Sequence, residues 1–197
     1  MRRRTFDAIV TAAGLAIAVF LLAAAGMLAW GHGFVTHEVR TQLVAQKIFF
    51  PAADSPEVTS LPRADAVAMA SYAGQEMTTG AQAQTWADHF IAVHLLKIGG
   101  GQTYAQLSGK AQADPKNAAL AAQVQTVFRG ETLRGMLLNA YGYWEIGQIM
   151  LWSAFIALGA AVLMALLSVA GIVHLRRTPA EAEVLPRLAA PVRARAV

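Results

Sequence analysis

Cysteine is absent from the 197-residue chain, which excludes disulfides, thiolate metal centres, iron–sulfur clusters and cysteine nucleophiles. Charge is scarce too. Only 14% of residues are Asp, Glu, Lys or Arg, against about a quarter in an ordinary soluble domain, while 56% are hydrophobic. Alternating β-branched runs are few and hairpin dipeptides are lacking, so little in the chain favours a sheet. Gly99-Gly100-Gly101 lacks both a preceding strand and the Gly-Lys-Ser/Thr ending of a phosphate loop. Ser71 and Ser108 have no identifiable base partner, and no nucleophile constellation is visible.

What the chain does contain is two uncharged apolar runs, Ala8 to Trp30 and Ile146 to Val173. Each exceeds the roughly 20 residues that a helix rising 1.5 Å per residue needs to cross a bilayer core of about 30 Å. Arg2, Arg3 and Arg4 before the first run, with Ala23-Ala24-Ala25 near its end, also suit a cleaved signal peptide. The run is too long for that, since a signal's apolar region has only about 7 to 15 residues. Segment 8–30 is therefore expected to be a retained transmembrane helix and segment 146–173 a second one.

Charge then orients them. Arg2, Arg3 and Arg4 against Asp7, and Arg176, Arg177, Arg187, Arg193 and Arg195 against Glu181 and Glu183, give the flanks +5, whereas segment 31–145 is −1. The positive-inside rule places residues 1–7 and 174–197 in the cytoplasm and 31–145 outside. Anionic inner-leaflet lipid is the natural partner of the arginines, and without interleaved aromatics or a recognition motif they do not suggest nucleic acid. Trp30, and Tyr141, Tyr143 and Trp144, mark the outer interface, where amphipathic rings prefer to sit.

Within 31–145 the spacing predicts a helix over 31–47 with Phe34, Val35, Val39 and Leu43 on one face, then a loop punctuated by Pro51, Pro56 and Pro62. A possible strand hides at Ile48–Phe50. Helices follow at about 63–75, from a cap at Thr78-Thr79 to the glycine stop at 99–101, over 103–113, and from about Asn117 into the second span. The expected class is all-α: two transmembrane helices enclosing an extracytoplasmic bundle of about four helices, with a disordered basic tail over 174–197.

The strings "HEVRTQLVAQKIFFP", "HFIAVHLLKIGGGQTYAQLS" and "FRGETLRGMLLNAY" together make the chain resemble a family of small two-span membrane proteins of high-GC Gram-positive, actinobacterial type, over about residues 1–177. The resemblance implies an envelope location. Some relatives in that family carry an aromatic ring-opening dioxygenase label, which would need two histidines and a carboxylate on one face of a metal.

The candidates for that role are His32 with His37 and His89 with His94, with Glu38, Asp88 and Glu131 as carboxylates. Both histidine pairs are five apart, about 140° round a helix of 3.6 residues per turn, so one helix cannot supply both ligands. No metal or other cofactor is expected. Glu131 and Arg134 read as a surface ion pair. Ser153, Ala157, Ala161 and Ala165 recur every four residues as a small-residue ridge suited to helix packing, with Ala12 and Ala16 of the first span as one possible partner. The leading functional expectation is a non-enzymatic outer domain that binds an envelope or membrane protein, or a second copy of itself, as an accessory subunit. An extracytoplasmic small-molecule sensor is the alternative, and a metal-dependent enzyme stands third.

Overall fold

A computed structural model describes residues 2–179 of the chain. Every regular element in it is helical: α1 (Arg3–Ala45), α2 (Pro56–Thr59), α3 (Arg63–Ala70), α4 (Gly80–Trp86), a π-helical turn (Ala87–Ile91), α5 (Ala92–Ile98), α6 (Tyr104–Ala113) and α7 (Ala118–Arg177). The expected all-α class holds. α1 has 43 residues and α7 has 60, and each contains a stretch long and apolar enough to cross a membrane. Residues 174–177 form the last turn of α7, and the rest of the expected disordered tail, from residue 180, lies outside the described residues.

Local chemistry sets several of the helix ends. Thr79 and Thr103 each accept from the backbone N–H three residues on, while Gln82 and Gln106 reach back to the cap backbone N–H, making two reciprocal capping boxes. Asn117 Oδ1 accepts from Leu120 N at 3.0 Å to start α7. After α5, Gly100 and Gly101 take φ values of 59° and 79°, the left-handed conformation that lets the chain turn without a Cβ clash. α3 stops at Ala70 instead of about Gln75. Residues 71–74 turn back so that Phe50 N donates to Gln75 O at 2.8 Å and Met77 N to Ile48 O at 2.8 Å. The suspected strand at Ile48–Phe50 is therefore one isolated antiparallel bridge, Phe49 to Glu76.

The described residues divide into two compact units, one of residues 30–151 and the other of segments 2–29 and 152–179. In the first, Val39 and Leu43 of α1 are buried with Phe50, Val58, Leu61, Met69, Met77 and Ala83. Burying each of the larger side chains contributes roughly 1.5–3 kcal/mol. Tyr72, Phe50, Trp86 and Phe90 follow one another at centroid separations of 5.3, 5.1 and 4.8 Å, tying the loop after α1 to α4 and the π turn. A smaller cluster seats Leu107 of α6 on Val124 and Val127 of α7.

The second unit is a pair of helical segments that meet through small side chains. Ala18 and Ala25 of α1 are each 6% exposed, and Ala154, Ala161 and Ser168 of α7 are 7%, 5% and 4% exposed, whereas Phe20 and Ile156 are more than 70% exposed. A Cβ on Gly14 would lie 2.8 Å from Ser168 Oγ, and one on Gly171 would lie 2.5 Å from Thr11 Oγ1. The buried line thus steps by seven residues, not four. Steps of four turn about 40° each round a 3.6-residue helix, so the expected ridge winds off the contact, while steps of seven drift by only about 20°. Ala161 alone of Ser153, Ala157, Ala161 and Ala165 is buried, and the other three are half-buried beside the seam.

Overpacking this seam tests it. Ala154→Leu with Ala161→Leu should destabilise the detergent-solubilised protein by about 1–3 kcal/mol for each insertion. Val162→Leu, at a position 53% exposed, should leave the thermal midpoint unchanged. Equal midpoints for both variants would show that the small residues carry no packing role.

Candidate functional site

The largest cavity among those described is a groove in the 30–151 unit with a volume of about 750 Å³, between the α1 and α7 segments of that unit. Its lining follows from helix period. Phe34, Val35, Glu38, Val39, Gln42, Leu43 and Gln46 recur at intervals of one, three and four along one side of α1, and Leu133, Met136, Leu137, Ala140 and Tyr143 do the same on α7. Trp86 and Ile91 close it from the α4 side. Val39 and Leu43 belong to the buried core, while Phe34, Leu133, Met136 and Tyr143 are each more than half exposed and form open apolar margins. Polar groups are few: Glu38, Gln42 and Gln46 form one row, with Asn139 among the α7 residues. Gln42 Nε2 donates to Glu38 Oε1 at 2.8 Å.

The four candidate metal histidines are engaged separately. His32 Nδ1 lies 2.8 Å from Gly147 O and His94 Nδ1 2.7 Å from Phe90 O, and since a carbonyl only accepts, each of these nitrogens carries the proton. His89 Nδ1 lies 2.8 Å from Asp65 Oδ1, and His37 sits in a separate, smaller pocket. The candidate carboxylates are engaged elsewhere. Asp88 pairs with Arg134 at 2.8 Å, Glu131 lies 3.7 Å from the same guanidinium, and Glu38 is bonded to Gln42. Among the described residues no group of three or more metal-ligating side chains converges.

The π turn carries Asp88, His89 and Phe90, so the one-residue widening of the helix presents the two polar residues that bond to other helices: Asp88 to α7 and His89 to α3. These pairings span 46 and 24 residues, which spacing along one helix cannot reveal. At about one-third exposure, the Asp88–Arg134 pair falls in the class that contributes roughly 0–1 kcal/mol.

The rings expected at an interface separate into two kinds. Trp30 is open and stacks on Phe34 at 5.7 Å, and Tyr143 is open beside the groove. Trp144 packs on the core. The Glu145 carboxylate beside Tyr141 holds its phenol above the ordinary value of 10.0, so the stabilising effect is complete below pH 10 and fades as pH rises through the raised value. The flanking Arg2, Arg3, Arg4, Arg176 and Arg177 are all exposed, with Arg3 4.0 Å from Asp7. Ser71 Oγ is taken up by Ala68 O at 2.6 Å, and Ser108 Oγ accepts from Gln112. No protein family, curated protein or solved structure matches the chain.

The scattered histidines lead to a direct test by elemental analysis. Protein purified without chelator should contain no stoichiometric iron or zinc, and His89→Ala combined with His94→Ala should leave its metal content unchanged. One equivalent per chain in the wild type, lost in the double variant, would contradict this.

Proposed function

We propose that the chain is a two-span membrane protein of the cell envelope, with both flanks cytoplasmic, whose 30–151 unit faces outward as a non-enzymatic binding module for an apolar or amphiphilic small molecule. Several observations support the membrane reading. Both long helices carry spans of sufficient apolar length, their seam is lined by small residues, and their largest side chains are exposed. A water-soluble pair would bury the large side chains instead. The charge asymmetry of the flanks and the resemblance to two-span proteins point the same way.

The observation that carries the binding reading is the α1/α7 groove. Its volume of about 750 Å³ falls in the range of ligand sites, and its apolar lining with a short polar row suits a ligand having an apolar body and a hydrogen-bonding end. From Leu133 to Tyr143 it runs about 15 Å at 1.5 Å per residue. Two facts favour an apolar source: Phe34, at one end of the α1 lining, is four residues from Trp30, and Tyr143 is three residues from the start of the second apolar run.

A second reading, the accessory subunit, is favoured by the exposed margin itself, since Leu133 and Met136 would suit a partner protein's apolar surface as well. One experiment separates the two. A fluorescent fatty-acid analogue should bind the detergent-solubilised protein, and Leu133→Arg with Met136→Arg should weaken it at least tenfold, about 1.4 kcal/mol. Both positions are more than half exposed, so the fold tolerates the change. Equal binding by both proteins would overturn the groove assignment. No binding, together with a stable protein partner lost in the variant, would favour the accessory subunit.

A further inference from the structure

On the side of α1 away from the groove lies a second, smaller pocket, bounded by Gly33, Thr36, His37, Arg40, Thr78, Thr79 and Trp144. Its volume is about 340 Å³. Two basic side chains three residues apart on α1 line it, and no carboxylate does. Arg40 is exposed and, like most of the described arginines, makes no ion pair among the described residues, so its guanidinium donors are not spent on a carboxylate. The backbone N–H groups of Thr78 and Thr79 are already taken by Gln82 Oε1 at 2.7 and 3.0 Å. The donors left for a ligand are therefore side chains, the Arg40 guanidinium and a His37 ring N–H, with Trp144 as a wall of the pocket.

We propose that this pocket binds a phosphate group, with Arg40 as the principal cation and His37 and Trp144 beside it. A planar guanidinium donates two parallel hydrogen bonds to phosphate, so Arg40 in a pocket lined by no carboxylate suits that group by charge and by shape. Two sources of phosphate exist, a phospholipid headgroup and free inorganic phosphate, and the lipid source rests on the membrane topology proposed above.

Helix geometry favours the lipid. At 1.5 Å per residue, Thr36 and His37 lie about 9–10 Å and Arg40 about 15 Å beyond Trp30 along α1. Side chains of a helix lean back toward its N-terminus, so Arg40 covers the turn below its own Cα, where Thr36 and His37 sit. A headgroup layer about 5–8 Å deep then lies within reach of that long side chain, which is how arginine commonly meets an interface.

The test uses the full chain in two arms. In the first, native mass spectrometry counts phosphatidylglycerol retained after extraction from vesicles of phosphatidylglycerol and phosphatidylcholine. Arg40→Gln should retain one phosphatidylglycerol fewer than the wild type, Arg40→Lys should recover part of the loss, and Arg129→Gln, an exposed arginine outside the pocket, should change nothing. Lipids held by the flanking arginines are common to all these proteins and cancel. The second arm titrates inorganic phosphate into lipid-free, detergent-solubilised protein by calorimetry. Phosphate binding that Arg40→Gln abolishes, with equal lipid counts, upholds the site and assigns the free anion as its source. Equal lipid counts and no Arg40-dependent phosphate binding would overturn the proposal. Arg40-dependent phosphate binding in a protein whose 30–151 unit proves cytoplasmic would sink the topology and leave the site standing.

Discussion

Close approach of α1 and α7 is the constraint on which the rest depends. Two helices that leave their large apolar side chains exposed can meet only through surfaces that fit at short range. Ala18, Ala25, Ala154, Ala161 and Ser168 provide such a surface in one unit. In the other unit the same two helices contribute the core residues Val39 and Leu43 and, at Gly147, a backbone carbonyl bonded to His32. Within that unit the groove lies between them, lined by larger side chains such as Leu137 and Tyr143. Exclusion of bulk in one unit and its partial admission in the other thus give the two regions different roles.

The parts of the fold that depend on neighbouring residues were readable from the sequence. Thr79, Thr103 and Asn117 begin helices and the 99–101 glycines end one, because capping chemistry acts over three or four residues. The parts that depend on contacts far apart in sequence were not. The π turn at Ala87–Ile91 is a single-residue change of pitch that leaves the apolar stripe of Trp86, Phe90 and Val93 nearly intact, so periodicity passes over it. The early end of α3 follows from pairing with residues 48–50, which only the folded chain brings near. Likewise the α1 face of Phe34, Val35, Val39 and Leu43 reads as one core stripe, whereas Val39 and Leu43 are buried and Phe34 stands open at the groove.

The candidate site shows the same division. The histidines were weighed as metal ligands and set aside on their spacing, but only the fold shows what they bond: His32 and His94 to carbonyls and His89 to Asp65. Arg134, read as one half of a local pair with Glu131, turns out to join Asp88 of the π turn to α7. The features that suggest binding, an apolar groove and an arginine without a counter-charge, are properties of surfaces formed by several helices. No spacing along the chain announces them.

The proposed function requires that the two apolar helices cross a bilayer with the 30–151 unit outside. Because the chain has no native cysteine, single cysteines report position without background. A cysteine at the exposed Gln112 should react with a membrane-impermeant maleimide in intact cells, and one at Ala182 should react only after lysis. Labelling at Ala182 in intact cells with protection at Gln112 would contradict the orientation, and recovery of the protein in the soluble fraction would contradict the membrane reading itself.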